Sequence, residues 1–394
     1  MQHRQGLSLP IPDAASAAHS ARVAEYIRQR IIAAGGSISF AEYMQHALYA
    51  PRLGYYTAGS EKFGAAGDFV TAPEVSSVFG RVVARQCAEV FAEVEQGAVL
   101  EFGAGSGKLA ADILRALAEF DALPERYAIL EVSADLRERQ ERFLKSEIPE
   151  QFDRCVWVAG LPDEHKGVII ANEVLDALPV ERFARRDKGI RQICVGIEAD
   201  GFVLVERPAP EILADSVAQV EADLGHVLPV GFVSEISLGA PGWIAGIASV
   251  LRHGMAFIAD YGVSRREYFA VDRSAGWLRC HFRHRAHDDA LILPGIQDLT
   301  AWVDFSALAG AAVDNGLDVA GYVTQAQFLL GGGLEKEFEN FTELPLDAQL
   351  KLSGQVKLLT LPEEMGENFK CLGLSCGMTT IPSAFGCADR TQVL

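Results

Sequence analysis

Residues 98–114 read AVLEFGAGSGKLAADIL. An apolar run closes on Glu101, three glycines alternate with small residues, and a helical pattern begins directly afterwards. A strand that enters a helix through such a turn predicts a βα unit, since glycine takes left-handed backbone freely and lets a ligand approach the main chain. The rhythm repeats downstream. YAILEV precedes a helix over 133–145, CVWVAG follows, and GVIIANEVL comes next. Short apolar strands separated by helices predict βαβ units and a parallel sheet. Further on, the spacing predicts a helix at 241–252, the strand GMAFIADYG, a helix near 305–315 and a strand at 317–323. A helix at 346–359 and a last strand, FKCLGLS, follow.

The flanks read differently. Val23, Ile27 and Ile31 predict a helix over 14–34 that ends at Gly35 and Gly36, and SISFAEYMQHALYA predicts a second, stopped by Pro51. A glycine- and aromatic-rich loop, 51–74, leads into an amphipathic helix at about 76–95. Residues 181–206 break the βα rhythm as two or three antiparallel strands with turns at Asp187–Gly189 and Asp200–Gly201, and a helix near 211–223 comes after them. Residues 264–300 read as irregular and polar, and 379–394 as a loose tail. The expected organisation is an α/β protein with an N-terminal helical region (1–97), a core split into 98–180 and 241–378, an insertion (181–240) and the tail.

The 394 residues carry 53 acidic and 35 basic side chains, a formal charge of −18. Beyond plain solubility, such a field disfavours nucleic acid and anionic membrane surfaces and favours basic ligands or basic protein segments. No apolar run is long enough to span a bilayer. Seven scattered cysteines without a CxxC pair suit a reducing compartment, and neither a zinc knuckle nor a disulfide framework is expected. The N-terminus lacks a secretory apolar region, and residues 1–22 fit a disordered arm better than a transit peptide. The expected location is cytoplasmic, or the mitochondrial matrix for a eukaryotic chain.

Three ligands suit a strand, glycine loop and helix. A P-loop needs Gly-x4-Gly-Lys-Ser/Thr, whereas Lys108 is followed by Leu109. A dinucleotide fingerprint needs GxGxxG, and Lys108 occupies its third glycine position. Glu101, two residues before the first glycine, serves a pyrophosphate poorly. It favours S-adenosylmethionine, which carries a sulfonium and an α-ammonium and no phosphate. Glu131, at the end of the next strand, is placed to accept from ribose hydroxyls, as in NAD enzymes too. Asn172, Glu173 and Asp176 lie just past the fourth strand, where ligands bind in open α/β sheets, with capping of a strand-to-helix turn as the lesser alternative.

The stretches LGYYTAGSEKFGAAGDFVTAPEVSSVFG, LEFGAGSGKLAADIL, YAILEVSADLRERQ, IIANEVLDALPVERF, VSEIS, IADYG, HRAHDDALILPGIQDLTAWVDFSAL, FLLGGGL and PEEMGENFKCLGLS occur in this order. Through them the chain resembles the MidA family of S-adenosylmethionine-dependent methyltransferases, from about residue 20 to 377. The resemblance implies a class I methyltransferase fold, with a Rossmann-like, mostly parallel sheet, an N-terminal helical region and an antiparallel insertion. It implies protein-arginine N-methyl transfer, with a respiratory complex I subunit as the acceptor of the eukaryotic member. Gly103, Gly105 and Gly107 match the family's cofactor loop and Glu131 its ribose acid. Gly67, Asp68, Phe69 and Thr71 match a signature expected to close over the cofactor. Trp302 stands where many members have histidine.

A guanidinium is a poor nucleophile because its lone pairs are delocalised and its charge is permanent. Carboxylates can localise that charge and orient one nitrogen. The candidates for this clamp are Glu173, helped by the Asn172 amide, then Glu235 and Asp260, with Glu74 in reserve. For Glu235 and Asp260 a structural salt bridge or cap is the competing role. His281, His284 and His287 beside Asp288 and Asp289 invite a metal, but the interleaved Arg279, Arg283 and Arg285 would repel a cation, so none is expected. Methylation of a small molecule, and a non-catalytic assembly role with bound cofactor, are the rival functions.

Overall fold

The computed structural model describes residues 9–58, 71–199, 201–386 and 388–394. Asp13 accepts from the Ser16 N–H at 2.9 Å and starts α1 (Ala14–Ala33), which buries Val23, Ile27 and Ile31. Residues 14–22 are therefore helix and not a disordered arm. The chain turns at Gly35 and Gly36 (φ 83° and 107°) into β1 (Ser37–Ser39), and Ser39 caps α2 (Phe40–Tyr49). The SIS stretch, expected to open the second helix, is thus a strand. The short α3 (Ala72–Val75) and α4 (Ser77–Phe91) follow.

The expected alternation then appears as β2 (Ala98–Phe102), α5 (Lys108–Glu119), β3 (Tyr127–Leu130), α6 (Ala134–Glu147), β4 (Cys155–Val158) and β5 (His165–Asn172). Next come β6 (Glu181–Arg186), β7 (Gly189–Glu198), β8 (Gly201–Pro208), α7 (Glu211–Leu224) and β9 (Val233–Ile236). After α8 (Ala240–Val250), β10 (Leu251–Val263) and the short α9 (Arg265–Tyr268) lie β11 (Arg279–Phe282), β12 (Arg285–His287), β13 (Asp298–Thr300) and β14 (Val303–Asp304). The chain continues through α10 (Phe305–Asp314), β15 (Asp318–Thr324), α11 (Gln325–Gly331), α12 (Leu346–Thr360), α13 (Met365–Asn368), β16 (Phe369–Cys376) and α14 (Ser383–Gly386).

The main sheet has the order β15-β16-β10-β5-β2-β3-β4, with β14 added to β10. Its β2, β3, β4, β5 and β10 pair in parallel, and β16 runs against both its neighbours. The order passes from β2 outward to β3 and β4, then returns to β5 on the other side of β2. That reversal opens a crevice beyond the carboxyl ends of β2 and β5. One apolar core joins α4 and α5 to one face of the sheet, and a second joins α8 and α10 to the other.

Two expectations about the flanks are corrected. β1 pairs with β7, Ile38 opposite Val195, so the N-terminal region and the insertion share one sheet, β1-β7-β6-β9 with β8 on β7. Residues 264–300 hold a third sheet, β12-β11-β13. Its period of two is present, with Cys280 and Phe282 buried between charged neighbours, but four residues are too few to stand out.

The tail is likewise docked. Phe385 is 2% exposed and packs on Phe257 and Phe328, with ring centroids 5.8 and 5.4 Å away. Its ring fills a hollow left by Gly321 and Gly373, where an added methyl at either would come within 2.9 Å of the ring. Asp389 accepts from the Tyr322 N–H at 2.8 Å, and the Arg390 N–H donates to the Tyr322 carbonyl at 2.7 Å. Phe385→Ala is expected to lower stability by about 3–5 kcal/mol in denaturant unfolding, the range for a buried aromatic. A loose tail would show a change within about 0.5 kcal/mol.

Candidate functional site

The glycine loop leaves β2 at the crevice. Gly103, Gly105 and Gly107 all hold left-handed backbone, with φ of 59°, 56° and 88°. Gly103 and Gly105 line a cavity of about 930 Å³, towards the upper end of the roughly 300–1,000 Å³ usual for small-molecule sites. Gly107 is not part of that lining. It caps α5 and packs against α6, where an added methyl would lie 3.4 Å from Phe143 and 3.7 Å from the Gln140 Cα. That packing is ordinary van der Waals contact, so the left-handed backbone is what calls for glycine.

Glu101 and Glu131 both line the cavity. Glu101 is 2% exposed and accepts from the Tyr127 hydroxyl at 2.8 Å. Burial pushes its carboxyl up to about 7, the Tyr127 hydrogen bond opposes this, and Glu131 adds like-charge repulsion. Glu131 accepts from the Ser133 N–H at 2.8 Å and from the Gln140 amide at 3.0 Å. A buried glutamine thus reaches the site, and only its spacing signals it, four residues from Leu136 and from Leu144 on the buried stripe of α6.

The end of β5 supplies the other wall, with Asn172, Glu173 and Asp176. Glu173 is half-buried at φ 54°, a left-handed conformation that costs a non-glycine residue about 1 kcal/mol or more and is often found at working sites. Burial and then Asp260 push its carboxyl up to about 8, against the Asn172 amide at 3.3 Å and the Ala72 N–H. Asp176 is pushed well above the carboxylate range by burial, with Asp260, Asp298 and Glu173 adding repulsion. Thr71 and Glu74 line the cavity from the α3 side, and Glu74 accepts from the Ser106 hydroxyl of the glycine loop. Gly67, Asp68 and Phe69 lie outside the described residues.

Neither Asp260 nor Glu235 belongs to the lining, and each carboxylate is held by partners within the protein. One Asp260 oxygen accepts from the N–H groups of Val174, Leu175 and Asp176 at 3.1, 2.8 and 3.2 Å, and the other from its own Tyr261 N–H at 2.8 Å. Glu235, fully buried, pairs with Arg182 at 3.1 Å and accepts from the Trp277 N–H at 2.8 Å. Gly276 packs on that carboxylate and leaves no room for a side chain. Trp302, the departure from the family pattern, stacks on Trp277 with ring centroids 4.3 Å apart.

Three further residues at the site have weak sequence signals. Tyr49 and Tyr56 line the cavity with their rings stacked at 5.4 Å, and come from the aromatic stretch around Pro51. Tyr49 donates to the Ala177 carbonyl and Tyr56 to Asp298, each at 3.0 Å. Asp298 is 1% exposed and sits in the stretch that reads as irregular. Among the described residues the lining carries six carboxylates (Glu74, Glu101, Glu131, Asp135, Glu173 and Asp176) against one cation, Arg52. Such walls disfavour a diphosphate and favour a ligand that brings positive charge.

Residues 82–323 match the profile of a family described as S-adenosyl-L-methionine-dependent methyltransferases. The Danio rerio protein named protein arginine methyltransferase NDUFAF7, mitochondrial, is 30% identical over 382 residues, 88% of this chain and 85% of its own. The Homo sapiens protein of that name is 31% identical over 86% of this chain and 80% of its own. A crystal structure from Burkholderia thailandensis bound to S-adenosyl-homocysteine is 39% identical, with a TM-score of 0.92, and the match covers 98% of this chain and 100% of that one. No helix among the described residues is long and apolar enough to cross a membrane. With its mostly parallel sheet, its glycine loop and these relatives, the chain belongs to the S-adenosyl-L-methionine-dependent methyltransferase family and has the class I fold.

Proposed function

We propose that this methyltransferase acts on arginine guanidinium groups of a partner protein. The observation that carries the reading is the end of β5, where Glu173 and Asp176 face the cavity with carboxyls raised by burial and by the neighbouring Asp260 and Asp298. Buried acids in that state are stabilised by an incoming cation, and a guanidinium offers paired donors that match a carboxylate. The names of the curated relatives support the same acceptor class. On the resemblance to MidA, a respiratory complex I subunit is the acceptor to test first.

The cavity suits the family's cofactor, because Gly103 and Gly105 leave the loop backbone open and Glu131 stands at the end of β3. Glu131 would hold the ribose hydroxyls, with Glu101 and Glu74 near the cationic methionine half. The bound cofactor supplies a methyl carbon made electrophilic by its sulfonium. Glu173 and Asp176 hold the guanidinium and align one nitrogen with that carbon. Methyl transfer would leave the cofactor as its neutral thioether, and Glu173 would take the proton that the methylated nitrogen loses. A carboxylate with a pKa of about 8 is well matched to accept a proton near neutral pH. Tyr49, Tyr56 and Leu178 wall this half and exclude water.

Glu173 is the base only when ionised, which happens above its pKa. The ratio kcat/KM should therefore rise with pH through about 8. Glu173→Gln should remove that limb and lower kcat by roughly 10²–10⁴, with S-adenosyl-homocysteine binding kept within a few-fold. Mass spectrometry after incubation with labelled S-adenosylmethionine and cell lysate should find the label on protein arginine. Label on another residue or on a metabolite, or an unchanged rate in Glu173→Gln, would refute the assignment. For the cofactor, Glu131→Ala should weaken S-adenosyl-homocysteine binding about tenfold or more by calorimetry, the loss of charge-assisted hydrogen bonds.

A further inference from the structure

Gln140 lies on α6 with no exposed surface, and its amide is the meeting point of three connections. Its nitrogen donates to the Gly105 carbonyl and to a Glu131 oxygen, both at 3.0 Å. Its oxygen accepts from the Trp157 indole N–H, also at 3.0 Å. These partners leave one orientation for the amide. The indole can only donate and the Gly105 carbonyl can only accept, so a flipped amide would lose all three hydrogen bonds. One side chain therefore ties the loop after β2 to the acid after β3, and β4 fixes how it points. Gly107 lies beside the turn of α6 that carries Gln140, and its left-handed backbone, φ 88°, is what favours glycine there.

A buried amide with every bond made is rigid, and an incomplete one is penalised, so the arrangement tolerates little drift. Glu131 is held at one oxygen by Ser133 and at the other by Gln140, which fixes the plane of its carboxylate. The direction in which Glu131 can accept from a ligand hydroxyl follows from that plane.

We propose that Gln140 is a positioning residue for the cofactor, aiming Glu131 at the ribose hydroxyls and clamping Gly105 to it. The inference rests on the reading of the cavity as the S-adenosylmethionine site. It acts through ribose recognition, and this separates it from a purely structural role.

The test pairs variants with ligands. S-adenosyl-homocysteine and its 2′,3′-dideoxy analogue are titrated into the wild-type protein and into Gln140→Met, which keeps the length and volume but not the amide. Wild type should bind the hydroxylated ligand more tightly. Gln140→Met should weaken it about tenfold and change the dideoxy analogue by less than twofold. Trp157→Phe, which removes only the group that orients the amide, should give a smaller loss of the same selective kind and serves if Gln140→Met does not fold. Equal losses for the two ligands, no loss for either, or a wild type indifferent to the hydroxyls would overturn the inference. A wild type that binds S-adenosyl-homocysteine with those outcomes leaves the cofactor reading standing, whereas a wild type that does not bind it at all overturns both.

Discussion

The arrangement of the site depends on one carboxylate that lies outside the cavity lining. Asp260 lies on β10 beside β5, and a single oxygen gathers three consecutive N–H groups from the turn that follows β5. A buried backbone turn must satisfy its donors, and here an anion does so from the neighbouring strand. The turn is thereby pulled over β10, which holds Glu173 in left-handed backbone and puts Asp176 on the same wall. The Glu173 N–H itself donates to the Ala259 carbonyl at 2.8 Å, so the β5–β10 ladder fixes where the turn begins. This wall of the cavity is in this way set by the parallel pairing of two strands.

The same brace has an electrostatic effect. Asp260 raises the carboxyls of Glu173 and Asp176, and Asp298 adds to both from the third sheet. Several carboxyls close together in low dielectric cannot all be ionised without a counter-charge. Protonation relieves the empty cavity, and a cationic ligand relieves the filled one. The site thus distinguishes charge before shape. A neutral acceptor would leave the acids repelling one another, whereas a guanidinium permits them to ionise together and to hydrogen-bond at once. The formal charge of −18 acts over a longer range in the same sense, drawing basic segments towards the protein.

The frame of the fold is legible in the sequence because its signals are local. Apolar runs, the left-handed glycines and the helical stripes over α1, α5 and α6 each depend on a few neighbouring residues. The cavity acids Glu101 and Glu131 are legible for the same reason, since both end a strand. Asp260 and Glu235 also sit on strands, yet a strand carboxylate can face a crevice, a neighbour's turn or an arginine. Which of these it meets depends on cross-strand register, here Ala259 opposite Asn172 and Arg182 opposite Glu235. Sequence spacing does not carry that information. Gln140 is half legible, as a polar residue on an apolar stripe must find partners, although the stripe does not name them. The docked tail is hidden altogether, because its anchor is a hollow made by two glycines on different strands.

The two halves of the cavity come from different layers. The cofactor half is built by the ends of β2 and β3 and by α6, all parts of the main sheet and its own helices. Much of the other half is brought by accessory elements: Tyr49 from α2 and Tyr56 just after it, which Asp298 of β13 holds by a hydrogen bond. Those elements share one core of their own, in which Tyr43, Leu48, Val195, Cys280 and Leu299 pack together. Residue substitutions in that core would act on the tyrosines and Asp298 before the glycine loop, because its buried residues come from outside the main-sheet strands. Acceptor choice can therefore diverge while cofactor binding stays fixed, and the antiparallel sheet that joins β1 to the insertion is what makes the separation mechanically possible.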